Sequence, residues 1–271
     1  LGMPPETLRR FKEALTRPNG VILVTGPTGS GKTTTLYGAL KLLNDPSRNI
    51  LTVEDPVEYA IDGVGQTQIN PKIGMTFATG LRAILRQDPD IVMVGEIRDV
   101  ETAEIAIQAA LTGHLVLSTV HTNSAVGAIT RLRDMGVEPF LLSSTVAAAL
   151  AQRLVRRLCP TCKEAYQPDE AERRLLGVAP GEVINVFRAL GCARCAGSGY
   201  EGRIGVYELM VVDQTIRTLI HDDASEQLMA DHAFRRFDTL AQSGFRHVIA
   251  GRTSIEEVLR VVRQEDEDAA L

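Results

Sequence analysis

The stretch Val21-Ile-Leu-Val-Thr25-Gly26-Pro27-Thr28-Gly29-Ser30-Gly31-Lys32-Thr33-Thr34 decides the fold class of this chain. Residues 21–25 read as a buried strand, the glycines as a turn, and residues 32–43 as a helix. The turn fits G-x-x-x-x-G-K-[ST] and lies between strand and helix, where a phosphate-binding loop must lie. Glycines let the backbone wrap around phosphates with its N–H groups pointing inward, and the helix adds the positive end of its dipole. Lys32 is placed to reach β- and γ-phosphates, and Thr33 to hold Mg²⁺. Gly26, Pro27, Thr28, Gly29, Ser30, Gly31, Lys32, Thr33 and Thr34 are therefore the candidate nucleotide contacts. The plain alternative is a chance glycine loop, which gives no reason for a strand before it and a helix after it.

Outward from this loop, short apolar runs alternate with longer amphipathic ones. Residues 49–53, 91–94 and 115–119 read as further strands, and Asp99 caps a helix that runs to Ala110 and stops at Gly113. Residues 145–158 read as one more helix. The alternation predicts an α/β fold with a parallel sheet flanked by helices, its ligand crevice at one edge of the strands. Glu96 emerges at the tip of the 91–94 strand, where a carboxylate can orient an attacking water or hold a metal through water. Its plain alternative is a solvated strand-end acid. Glu54, Asp55 and Glu58 follow the 49–53 strand; at least Glu54 or Asp55 is expected to face the metal and the attacking water, against an ordinary polar loop. His121 follows the 115–119 strand and is expected to contact the γ-phosphate. His114 precedes that strand, where the far edge of the sheet is expected. Lys32 is the one cation whose motif position fixes it at the phosphates, with Arg98 or Arg86 as core arginines that could complete the site in cis.

Composition excludes several classes. The chain has 271 residues, enough for one large domain or a medium one with a smaller companion. With 44% hydrophobic and 23% charged residues it is ordinary for a globular protein and wrong for a disordered one. No apolar run approaches the roughly 18 to 20 residues of a bilayer span, and no secretory signal is visible. The first residue is Leu1 rather than Met, so a fragment of a longer protein is expected. The net charge of −5 argues against overall affinity for nucleic acid, though not against a local basic patch. Without Trp and with only 4% aromatics, base-stacking platforms are scarce. Arg153, Arg156 and Arg157 form the one notable basic cluster, read as a helix face or a subunit contact. No N-K-x-D segment reads guanine, and no acceptor pocket of a small-molecule kinase is legible. A RecA-type nucleic-acid motor stays open as the competing reading.

All four cysteines fall in two C-x-x-C pairs, Cys159 with Cys162 and Cys192 with Cys195, around a polar, Glu-rich interval. Such pairs suit tetrahedral Zn²⁺, and a closed four-thiolate site is structural rather than catalytic. Disulfides would need an oxidising compartment; a redox pair or free thiols complete the alternatives. Beyond Tyr207 the pattern is helical again. Thr253 and Glu256 have capping-box spacing ahead of Val258, Leu259, Val261 and Val262. Residues 265–268 form an acidic run expected to be solvated or frayed.

Together these motifs resemble the secretion ATPases of type II secretion systems and type IV pilus assembly. The resemblance rests on the Walker A sequence, the acidic box Thr52-Val-Glu-Asp-Pro-Val-Glu58, and the atypical Walker B segment Asp88-Pro-Asp-Ile-Val-Met-Val-Gly-Glu-Ile-Arg-Asp99. It rests also on the histidine box Thr112-Gly-His-Leu-Val-Leu-Ser-Thr-Val-His-Thr122. The tetracysteine insertion and Gly202-Arg-Ile-Gly-Val-Tyr-Glu208 resemble the type II secretion E-protein branch or a pilus-extension relative; pilus retraction ATPases lack the cysteines. The resemblance runs from about Gly20 to Leu259.

The resemblance implies a RecA-like P-loop NTPase core over residues 1–156, a tetracysteine zinc-binding subdomain over 157–206, and a helical C-terminal part over 207–271. It implies Glu96 as catalytic carboxylate, Glu54, Asp55 and Glu58 as acidic box, His121 as γ-phosphate sensor, and Cys159, Cys162, Cys192 and Cys195 as zinc ligands. ATP, Mg²⁺ and Zn²⁺ follow as cofactors. It further implies a cytoplasmic ATPase, peripheral at the inner membrane, that powers pseudopilus assembly and protein export, or pilus extension. A homo-oligomer, in the full protein a hexameric ring, is expected, with secretion-platform proteins and no nucleic acid as partners. Family members carry N-terminal domains that supply arginines to the nucleotide and dock to that platform. The chain starts close before the P-loop, so those domains are expected to be absent from it.

Overall fold

Gly20–Thr25 (β1) is buried along its whole length, as a strand covered on both faces must be. The computed structural model describes residues 2–179 and 182–268, with side chains through Val262 in the last helix. Helix α1 (Pro5–Leu15) precedes β1, and α2 (Lys32–Leu43), β2 (Ile50–Glu54), β3 (Val64–Gln68) and α3 (Phe77–Ile84) follow it. Next come β4 (Ile91–Val94), α4 (Val100–Leu111), β5 (Leu115–Val120), α5 (Gly127–Asp134), α6 (Pro139–Thr145) and β6 (Val146–Leu158). The rest is β7 (Glu164–Tyr166), α7 (Glu170–Leu176), β8 (Val186–Arg188), β9 (Tyr200–Val211), α8 (Gln214–His221), α9 (Glu226–Ala233), α10 (Leu240–Ile249) and α11 (Ile255–Asp268).

Seven strands form one sheet in the order β3-β2-β4-β5-β1-β6-β9. All neighbours are parallel except β6 with β9. This is the expected α/β class. Side chains alternate across the sheet. Val21 and Leu23 enter one core with α3, α4 and α5, while Ile22 and Val24 enter another with α1 and α2. The parallel order puts the C-terminal ends of β1, β2, β4 and β5 on one edge, and the P-loop, acidic box, Glu96 and His121 leave from that edge.

The helix expected over 145–158 is instead a thirteen-residue strand, β6. The Ala-rich run favours a helix in isolation, but propensity is a weak prior. Here the run fills the slot between β1 and β9, where its first eight residues are buried, and small side chains let both helix layers approach. A register shift near Ala147 turns the strand slightly out of phase. The helical stretch expected beyond Tyr207 begins only at Gln214, because β9 pairs with β6 as far as Val211. The limit placed at 206/207 therefore falls inside β9. The cap of α11 is shifted by one residue: the Ser254 hydroxyl accepts from the Glu257 N–H at 3.2 Å, while Thr253 donates to the Arg156 carbonyl. The acidic residues 265–268 lie outside the described side chains. The cap on α4 is Asp99, as expected.

β6 and β9 continue past the rest of the sheet and end at the cysteine turns. Between those turns, β7 and β8 form an antiparallel pair, and Asp169 with Glu172 makes a capping box on α7.

Candidate active site

The P-loop is shaped by backbone geometry only glycine accepts at ease. Gly26 has φ +143°, and a Cβ there would stand 2.4 Å from the Gln152 carbonyl oxygen. Gly31, at φ 88°, turns the chain into α2. Lys32 Nζ donates to the Gly26 and Pro27 carbonyls at 2.7 and 3.0 Å. Burial pushes the Lys32 ammonium below its usual range; Glu96 opposes that shift and Arg153 adds to it.

Beside this loop lies a cleft of about 670 Å³. Residues 28–34, Glu54, Asp55, Glu58, Glu96 and His121 all line it. The structure thus brings together acidic and basic groups from four strand ends, those of β1, β2, β4 and β5, that are far apart in sequence. Glu96 is the hub: its Oε1 is 3.0 Å from His121 Nε2 and its Oε2 accepts from Arg98 Nε at 2.6 Å. Only 14% of the Glu96 side chain is exposed. Burial lowers the His121 pKa, with Lys32 and Arg98 adding to the effect against Glu96. The imidazole is therefore held toward its neutral form while its Nε2 stays 3.0 Å from the Glu96 carboxyl oxygen. Asp55 stands on the far side of Arg98, 3.8 Å from its Nη1.

The acidic box is not three equivalent carboxylates. Glu54 is buried and saturated: it accepts from Tyr37 Oη at 2.5 Å, Thr52 Oγ1 at 2.6 Å and Gln66 Nε2 at 3.0 Å. Burial and this carboxylate together push the Tyr37 phenol up to about 12, so it stays a donor. Tyr37 Oη also accepts the Glu58 N–H at 3.1 Å, which fixes the loop carrying Asp55 and Glu58, both exposed to the cleft. His114 sits elsewhere, with Nδ1 2.8 Å from the Ala109 carbonyl oxygen. Arg98 lines the cleft and Arg86 does not.

Sequence reasoning passed over Tyr37, Gln66, Gln152 and Arg203. Arg203 on β9 lines the cleft from beyond the cysteine turns. Gln152 Nε2 donates to the Ser30 carbonyl at 2.7 Å and its Oε1 accepts from Thr35 Oγ1 at 2.6 Å. A polar residue in the middle of the apolar β6 run was the signal available for Gln152. Arg203 lies in the motif over residues 202–208, which does not itself point to the cleft, and nothing marked Tyr37 or Gln66, because the contacts join segments remote in the chain.

The four cysteine sulfurs lie within 4.8 Å of one another, and all four thiols are unpaired by disulfides. Separations of 3.7 to 3.9 Å between Sγ atoms match the edge of a tetrahedron of sulfurs about 2.3 Å from a central Zn²⁺. The Cys192 and Gly199 N–H groups donate to Cys195 Sγ at 3.2 and 3.1 Å, an arrangement that favours thiolate. The donor set therefore fits a structural zinc ion.

Comparison with known proteins gives the family and the fold. The family model described as type II/IV secretion system protein matches residues 1–260. Type II secretion system protein E of Pseudomonas aeruginosa is 62% identical over 265 residues, covering 98% of this chain and 53% of that protein. Type II secretion system ATPase E of Vibrio cholerae is 58% identical over 264 residues, with 97% and 52% covered. The chain thus spans about half the length of the curated relatives it matches. Among solved structures, the pilus retraction motor PilT with bound ADP superposes with a TM-score of 0.71 at 30% identity, covering all of this chain and 68% of PilT. The Legionella pneumophila ATPase DotB shares the fold, with a TM-score of 0.69 over 94% of this chain and 63% of DotB.

Proposed function

We propose that this chain, which belongs to the type II/IV secretion system protein family, binds ATP with Mg²⁺ in the cleft around Lys32 and hydrolyses it. The observation that carries the reading is the Glu96–His121 pair, 3.0 Å apart, in one cleft with the P-loop lysine. The P-loop N–H groups and Lys32 hold the phosphates, and Thr33 is the protein ligand to Mg²⁺. Glu96 orients and deprotonates the attacking water. His121, 3.0 Å from Glu96 and within the electrostatic reach of Lys32, senses the γ-phosphate. Asp55 and Glu58 face the metal and its waters, while Glu54 sets the position of their loop through Tyr37.

As part of a type II secretion E protein, the chain turns hydrolysis into assembly of a pseudopilus and protein export; pilus extension is the second reading, favoured by the same cysteine module. Relatives named type II secretion protein E at 54 to 62% identity support the first. Among the described residues no helix is long and apolar enough to cross a membrane, so we assign attachment at the inner membrane to partner proteins, from the cytoplasmic side. Arg98 is engaged by Glu96 and Asp55, which favours a ring, six subunits in the full protein, for delivery of further positive charge to the γ-phosphate. The four cysteines hold Zn²⁺, which ties the ends of β6 and β9 together and supplies folding energy to residues 157–206.

The test is ATP turnover by the full-length protein and its Lys32→Ala variant. Charge-assisted contacts to phosphate contribute about 1.5 to 3 kcal/mol each, so Lys32→Ala lowers turnover by at least about 10- to 100-fold while the fold persists. Unchanged turnover in folded Lys32→Ala overturns the assignment.

A further inference from the structure

The loop after β5 carries His121, and it is held at three points. Thr25 Oγ1 donates to the Thr122 carbonyl at 2.8 Å and accepts its N–H at 2.9 Å. Arg153 Nη2 donates to the Asn123 carbonyl at 3.0 Å and to Asn123 Oδ1 at 3.2 Å. The Ala125 N–H donates to Glu208 Oε1 at 2.9 Å.

Two of these anchors are charged and almost fully buried: Arg153 is 4% and Glu208 5% exposed. Burying charge is costly unless hydrogen bonds and an opposite charge offset it. An apolar pair would have filled the space between β6 and β9 at lower cost, so the charges call for a reason. Neither residue lines the nucleotide cleft, yet each touches a segment that does or that moves with it. The Arg153 guanidinium lies against the P-loop, where a Cβ on Gly26 would stand 3.0 Å from its Nη1, and its charge is felt at Lys32. Glu208 faces the other way as well. Its Oε2 accepts from the Leu240 N–H at 3.1 Å, the first residue of α10, where the helix dipole favours a carboxylate. Burial raises the pKa of the Glu208 carboxyl, and the Ala125 and Leu240 N–H groups and then the Arg153 charge oppose that rise. One buried network therefore joins the P-loop, the His121 loop and the C-terminal helices.

We propose that Arg153 and Glu208 are positioning residues for the hydrolysis site: from β6 and β9 they pin the loop that sets His121 against Glu96, one to the P-loop and the other to α10. The inference rests on the reading of that cleft as an ATPase site. It gives α10 a direct mechanical connection to the γ-phosphate end of the cleft, through one carboxylate and one loop.

The test uses the full-length protein and measures ATP turnover, affinity for a slowly hydrolysed ATP analogue, and the urea midpoint. Glu208→Gln keeps the size of the side chain but turns an amide donor toward one of the two backbone N–H groups and removes the charge beside Arg153. Asn123→Ala removes the side-chain acceptor on the loop and leaves both buried charges in place. The expected result is a kcat about 10-fold lower for Glu208→Gln and about 3-fold lower for Asn123→Ala, with analogue affinity within about twofold of wild type. In a His121→Ala background both losses shrink to less than half on a logarithmic scale, because the group being positioned is gone. Losses of equal size in both backgrounds, or losses that follow the unfolded fraction, overturn the proposal. If Glu208→Gln does not fold, Asn123→Ala carries the same comparisons. A wild-type turnover that Lys32→Ala leaves untouched overturns the ATPase reading instead, and the two failures are distinct.

Discussion

Glu96 Oε1 lies 3.0 Å from His121 Nε2, joining the tips of the adjacent parallel strands β4 and β5. The approach puts both groups in the same cleft as Lys32, whose Nζ is itself held by the Gly26 and Pro27 carbonyls. A site arranged this way can orient water at one carboxylate and register the γ-phosphate at the imidazole next to it.

Glu96→Gln keeps the shape of this hub and removes its charge. ATP is expected to bind with near wild-type affinity while turnover falls by about 10²- to 10⁴-fold, the usual range for loss of a general base. Equilibrium binding of a labelled nucleotide and single-turnover hydrolysis check this. Equal turnover in wild type and Glu96→Gln would move the base to Asp55.

Gly26→Ala tests the P-loop backbone. At φ +143° with the Gln152 carbonyl 2.4 Å from the added Cβ, the loop cannot keep its path. Strain of about 1 to 3 kcal/mol is expected, released by opening the loop, so nucleotide affinity drops while the urea midpoint moves little. Retained affinity in Gly26→Ala would show that the close approach to β6 is dispensable.

Metal analysis of protein purified without chelator is expected to give one zinc per chain. Cys159→Ser or prolonged chelation should expose residues 157–206 to proteases while ADP still binds, because that interval is too small to hold a core of its own. Metal-free protein that resists proteolysis there would contradict a structural zinc site.

Glu257 links α11 to β6. Burial alone would raise its carboxyl, but hydrogen bonds from Arg260 and Arg156 overcome that and hold it at about 2. A carboxylate lowered from 4.5 adds stability that is complete above pH 4.5 and is lost as pH falls toward 2. Both arginines are about half exposed, so screening reduces the contribution to roughly 2 kcal/mol. Urea midpoints between pH 7 and 3 should fall less steeply for Glu257→Gln than for wild type; identical slopes would remove Glu257 from the acid response.

Much of the site was legible in the sequence because its chemistry is local. Lys32 and Thr33 are tied to their glycines by a fixed spacing, Glu96 to its strand by the apolar run before it, and the cysteines to each other within each turn. The sequence leaves open which of Glu54 and Asp55 faces the metal and the attacking water, and packing separates them: Tyr37, Thr52 and Gln66 occupy the Glu54 oxygens, while Asp55 is exposed in the cleft. The 145–158 run was misread because alanine-rich sequence favours a helix when nothing packs around it, and β1 and β9 do pack around it.

The amino-acid order by itself determined the glycine-rich G-x-x-x-x-G-K-T turn, the α/β class, the two C-x-x-C pairs and the family, because each depends on residue type at short, fixed intervals. Tertiary structure alone decided the rest. It brought Arg203 across from β9 into the cleft, closed the four sulfurs to within 4.8 Å, and set Gln152, Arg153 and Glu208 behind the nucleotide loops. These are contacts between strands that meet only when the sheet closes. Their hydrogen bonds gain strength in the low-dielectric interior and so offset the cost of taking charges and carbonyls out of water, a property of the assembled interior that no short window of sequence contains.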